Sequence, residues 1–173
     1  RTVTGVQTCA LPISSGSGKS SLVRAGLVPV IKRRHADWQI HILTPTAHPL
    51  EALAIELTRD SESVTAAATL ADDLSKDPRS LHYFLSRRAH IDKSAHTLLV
   101  IDQFEELFTL CRDEFEREAF IDNLLSALTP TSLPLGEGRR GEGNITLVIT
   151  LRADFYAHLA QYPELRDAVA QRQ

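Results

Sequence analysis

The sequence predicts an α/β fold built on a mainly parallel sheet with helices on both faces. Three observations predict it. Residues 38–43, 97–101 and 145–151 are short runs rich in apolar and β-branched residues, the pattern of strands buried on both faces. Between them, apolar residues recur at helical spacing, and strands alternating with helices argue for a doubly wound sheet. The chain has 173 residues, 43% of them hydrophobic and 24% charged, which suits one soluble domain with a sizeable core.

Taken in order, the elements are uneven in quality. Residues 3–13 (VTGVQTCALPI) look like the conceptual translation of a common sequencing adapter. Residues 1–13 are therefore expected to be non-native and to have overwritten a native first strand. The alternative is a native strand of modest β-propensity leading into a Gly-rich loop. The absence of Met fits a fragment. Val23, Leu27, Val30 and Ile31 then recur at helical spacing, with Pro29 expected to break the element in two. Residues 38–43 form a strand stopped by Pro45. Helices are expected over 50–57, 66–74 and 81–88. Residues 97–101 form a strand ending on Asp102. Phe104, Leu107, Phe108 and Cys111 make an i, i+3, i+4, i+7 stripe, and Ile121, Leu124, Leu125 and Leu128 make another. Residues 129–143, crowded with Pro, Gly and charge, are expected to be a flexible surface insertion. The last strand, 145–151, ends on Arg152.

Composition excludes several classes. A net charge of −3 and a pI of about 6.2 leave no broad basic face, and Arg139-Arg140 is too short a patch, so direct nucleic-acid binding is not expected. Cys9 and Cys111 cannot make a disulfide scaffold, which points to a reducing, cytoplasmic setting. Cys111 belongs to an apolar stripe and reads as core. No apolar run approaches a membrane span, and the start is no secretory signal. The seven histidines show no metal-ligand spacing.

Three strand ends carry chemistry. Ser15, Gly16, Ser17, Gly18, Lys19, Ser20 and Ser21 open a helix. Small residues there let successive backbone N–H groups converge on a phosphate at the helix N-terminus. A lysine bridges the β- and γ-phosphates, and the Ser20 hydroxyl ligates magnesium. The full pattern G-x-x-x-x-G-K-[ST] puts its first glycine at position 13, where the chain has Ile13. A flexible Gly/Ser turn is the plainer reading of the loop taken alone. Asp102 closes an apolar run, the Walker B form, and can hold the same magnesium. Gln103 stands where many phosphate-loop ATPases carry a glutamate. Glu105 and Glu106 follow, and a helix starting at Gln103 would put Glu106 on the face of Asp102; Glu106, or failing it Glu105, is expected to orient the attacking water. The alternative is a solvated acidic first turn. Arg152 is expected to point at the γ-phosphate, or else to pair with Asp154. Phosphate loop, acid and base on one sheet edge is the arrangement open α/β sheets use for ligands.

The strings SGSGKSSLVRAGLVP, LLVIDQFEELFTLC and ITLRADFYAHLAQYPEL together resemble the bacterial novel STAND NTPases, relatives of AAA+ and apoptotic-type signalling ATPases that are often joined to WD-repeat arrays. The resemblance implies a phosphate-loop NTPase three-layer sandwich with strand order 5-1-4-3-2. It also implies ATP and Mg2+ as cofactors, and slow hydrolysis that toggles a larger signalling protein. Sensor or effector domains in the same parent chain, such as WD repeats, and a nucleotide-dependent oligomer follow as the partners the resemblance implies. Carried over, Gly18, Lys19 and Ser20 hold phosphates and metal, Asp102 is the Walker B acid, Glu105 and Glu106 are the displaced acidic pair, and Arg152 is the sensor arginine. On this reading residues 14–173 are a partial domain lacking the native first strand and the lid region. Two alternatives stand beside the hydrolytic switch: a non-hydrolysing ATP- or ADP-binding module, and an inert fragment.

Overall fold

The computed structural model describes residues 7–13, 18–92, 96–128 and 144–170. Four strands, β1 (Gln7–Ile13), β2 (Trp38–Leu43), β3 (His96–Ile101) and β4 (Asn144–Arg152), form one parallel sheet in the order β1-β4-β3-β2. That is the 1-4-3-2 portion of the expected order. The place at which a strand was expected to be missing is filled: residues 7–13 pair with β4 from Gln7 opposite Thr146 to Ile13 opposite Arg152.

The helical segments are α1 (Lys19–Ser21), a π-wound stretch (Leu22–Leu27), α2 (Val28–Arg34), α3 (Pro49–Thr58), α4 (Ala66–Lys76) and α5 (Ser80–Asp92). They continue with α6 (Glu106–Thr109), α7 (Glu114–Leu128), a 3-10 turn (Ala153–Phe155), α8 (Tyr156–Leu159) and α9 (Pro163–Ala170). The break expected at Pro29 takes the form of a change in winding, not an end. A proline ring clashes with the carbonyl four residues back and offers no N–H. The preceding turn is widened, so that the Val28 N–H reaches the Val23 carbonyl five residues back. Such π-turns absorb strain of this kind without ending a helix. The insertion expected at 129–143 lies outside the described residues.

Alternation along the strands splits the core between the sheet faces. Leu98, Val100 and Val148 pack with Val23 and Val28 on one side. Leu99, Ile101, Leu147 and Ile149 pack with Leu53, Leu85, Phe104, Phe120 and Leu124 on the other. With helices on both faces this is the expected three-layer α/β sandwich, and it explains why β3 and β4 read as unbroken apolar runs. Among the described residues no helix is long and apolar enough to cross a membrane.

Candidate functional site

The carboxyl ends of β3 and β4 and the start of α1 meet at one edge of the sheet. Gly18 precedes α1 with φ +74°, a left-handed conformation that any side chain would strain. The Leu22 N–H donates to its carbonyl at 2.7 Å, which anchors the helix start on that glycine. Two residues on, the Ser20 hydroxyl donates to Asp102 Oδ1 at 2.9 Å across 82 residues of sequence. The Thr150 hydroxyl donates to the same oxygen at 2.7 Å. Arg24 Nε donates to Asp102 Oδ2 at 3.3 Å. Asp102 itself is fully buried, so these three donors satisfy a carboxylate that would otherwise be costly to desolvate.

The turn after Asp102 departs from expectation. Gln103 has φ +55°, outside helical space, and α6 begins only at Glu106. A helix starting at Gln103 is therefore corrected to a strained turn, and the i, i+4 relation of Asp102 to Glu106 does not hold. The strain is held by Thr150, whose hydroxyl accepts the Gln103 N–H at 2.9 Å and whose carbonyl accepts the Phe104 N–H at 2.8 Å. Non-glycine residues stay in such a region only where surrounding bonds over-determine them.

This turn sends the two glutamates in different directions. Glu105 is buried, and its Oε2 accepts the Arg152 backbone N–H at 3.2 Å; it braces the end of β4. Glu106 is half-buried. Desolvation, then the nearby charges of Glu105 and Asp102, push its carboxyl above the ordinary glutamate range, because both disfavour the charged form. The Arg152 guanidinium pairs with Asp154 at 3.1 and 2.7 Å and lies over the Phe155 ring. Of the two arrangements weighed for Arg152, the structure has the local pair. Lys19 is helical, but its side chain, like Ser15, Gly16 and Ser17, lies outside the described residues; Ser21 is exposed.

Sequence reasoning missed Thr150 and Arg24. The first had a signal: a hydroxyl in an apolar run, one residue past the Ile149 that pairs with Ile101, which sets it opposite Asp102. The second sits one helical turn after Ser20. Ser20 and Asp102 offer a hydroxyl and a carboxylate, hard oxygen donors that suit magnesium. Among the described residues no cluster of three His, Cys, Asp or Glu could hold a metal. A magnesium held by one or two protein oxygens plus substrate phosphates needs no such cluster.

A family model described as Novel STAND NTPase 1 matches residues 2–173. The chain belongs to this family. The α/β phosphate-loop NTPase fold implied by the motifs is the one observed. Among solved structures the module is similar to the ORC2 protein of Aeropyrum pernix, solved as ADPNP-ADP complexes, with a TM-score of 0.60 and 12% identity. That likeness is one of fold. It covers 95% of this chain and 40% of the other, so the STAND module spans well under half of that protein's length. No curated protein matches.

Proposed function

We propose that this chain is the switch module of a larger signalling ATPase, binding ATP with Mg2+ and hydrolysing it slowly. The observation that carries the reading is the Ser20–Asp102–Thr150 cluster beside Gly18, where hydroxyl and carboxylate from separate elements meet at 2.9 and 2.7 Å. In this reading the backbone of residues 15–20 cradles the phosphates and Lys19 bridges them, with Ser21 completing the first turn. Ser20 and Asp102 hold the metal, which supplies charge neutralisation on the phosphate oxygens. Glu106 orients the attacking water, and Glu105 fixes the strand end that carries Arg152. For Arg152 to reach a γ-phosphate it must leave Asp154, which makes it a sensor that engages only when nucleotide is present. The similar ORC2 protein was solved with ADPNP and ADP, which favours adenine nucleotides. The cytoplasm, sensor or effector domains such as WD repeats, and a nucleotide-dependent oligomer complete the proposal.

The test is Mg-ATP binding and turnover by the full-length protein with and without Glu106→Gln. Binding is expected to persist while turnover falls at least about 100-fold, the low end of the usual range for a proton-handling group. Because burial and the charges of Glu105 and Asp102 hold the carboxyl above the ordinary range in the metal-free fold, the folded chain takes up this proton at a higher pH than the unfolded one. By the same sign, the fold gains stability from this group as pH drops through that raised range. Unchanged turnover in Glu106→Gln removes Glu106 from the mechanism. Tight binding with no turnover in the wild type selects the second reading, a non-hydrolysing module, which Gln103 in place of an adjacent glutamate favours. Absence of Mg-ATP binding sinks both and leaves the inert fragment.

The proposal extends to the start of the chain, where residues 1–13 stand in place of a native segment, and to an insertion at 129–143. Ile13→Gly restores the first glycine of the loop pattern. Mg-ATP binding, read by titration calorimetry, is expected to tighten; equal or weaker binding would show that this position needs no glycine.

A further inference from the structure

We infer that Arg24 is a placeholder cation for the metal position, neutralising Asp102 in the nucleotide-free module and leaving it when a divalent ion loads. The inference rests on the proposed metal role of Ser20 and Asp102. A fully buried carboxylate must be compensated. Asp102 Oδ1 takes two neutral hydroxyls, from Ser20 and Thr150, and neither cancels charge. Oδ2 takes Arg24 Nε at 3.3 Å. Among the described side chains Arg24 is the cation in ion-pair contact with this group, and its own side chain is 55% exposed against 0% for Asp102. It reaches in from solvent and can return there without opening the core.

The backbone makes the exchange specific. Arg24 lies in the π-wound stretch directly after α1, one turn beyond Ser20, so hydroxyl and guanidinium approach the same carboxylate from one helical face. A dication between Ser20 and Asp102 would bring two like charges against the guanidinium at close range, in a partly buried setting where repulsion is weakly screened. The two would sit on different oxygens, Oδ1 and Oδ2, but the single negative charge of Asp102 cannot neutralise both. Metal loading therefore frees Arg24, and the affinity for metal carries the cost of displacing it. This sets a threshold: the metal arrives favourably only with a nucleotide whose phosphates supply the remaining charge. It also ties the winding of the 22–27 segment to occupancy of the site.

The test uses the full-length protein and Mn2+ as the probe, followed by electron paramagnetic resonance with and without ADP. Arg24→Gln is expected to bind Mn2+ about tenfold more tightly, the modest end of ordinary coupling between two ligands of one group. The tightening should be larger without ADP than with it, and Arg24→Lys should stay near wild type. An unchanged or weakened Mn2+ affinity in Arg24→Gln, with normal binding in the wild type, overturns the inference while leaving the proposed function intact. A wild type that binds no Mn2+ even with ADP overturns the metal reading itself, and this inference with it. Labelling of wild-type Arg24 by phenylglyoxal, read by mass spectrometry, needs no variant to fold. It should speed up on adding Mn-ADP, and an unchanged or slower rate counts against the exchange.

Discussion

Asp102→Ala is expected to weaken Mg-ATP binding at least about 100-fold, the range seen when a bridging charge is lost from a desolvated site, and to cost the fold about 2 kcal/mol. The two losses have separate causes. Binding falls because the metal position loses its carboxylate and keeps only the Ser20 hydroxyl. Stability falls because Thr150, itself buried, and Ser20 lose their shared acceptor, whereas Arg24, more than half exposed, is resolvated. Asp102→Asn separates them. An amide oxygen can still accept from Ser20 and Thr150, so most of the stability should return while binding does not. Titration calorimetry and urea unfolding check both arms. If Asp102→Asn binds Mg-ATP as the wild type does, Asp102 is a structural anchor for the Gln103 turn and not a metal ligand.

The strands were legible because their cause is local. A run buried on both faces must be apolar along its whole length, and the observed strands Trp38–Leu43, His96–Ile101 and Asn144–Arg152 match the sequence runs to within a residue at each end. The helices over 49–58, 66–76 and 80–92 were legible through their periodicity. The turn at 103–105 was not. The stripe Phe104, Leu107, Cys111 is buried as periodicity demands, yet the same spacing serves a turn followed by a one-turn helix. Only the Thr150 bonds to Gln103 and Phe104 decide between them, and these depend on the register of β3 against β4. Ser20 and Asp102 could be placed together from motif chemistry alone. Thr150 and Arg24 could not, because a threonine in a strand and an arginine on a helix are ordinary until the fold sets them against a buried charge.

Asn123→Leu is expected to destabilise the module by about 3 kcal/mol, more than an average core substitution. Asn123 is fully buried in α7 beside Phe120 and Leu124, where a leucine of similar size would seem to suit. Its amide, however, serves two helix ends at once. Oδ1 accepts the Leu81 N–H at 3.2 Å near the start of α5, and Nδ2 donates to the Leu74 carbonyl at 2.8 Å near the end of α4. Those are backbone groups that a helix leaves without partners. Nδ2 also donates to Ala119 at 2.8 Å. Leucine would strand the Leu81 donor and the Leu74 acceptor in the core, and the gain in apolar burial does not offset two unsatisfied groups. Asn123→Asp gives the opposite handle on pH. Its carboxylate would face the Leu74 carbonyl, so its pKa rises in the fold, and stability recovers as pH falls through that raised value, because the protonated acid can donate again. Urea midpoints across pH distinguish the two variants. A loss below about 1 kcal/mol for Asn123→Leu would mean that the α4–α5 connection relaxes enough to hydrate its own ends; the amide would then be a convenience of packing and not the tie between the helices covering this face of the sheet.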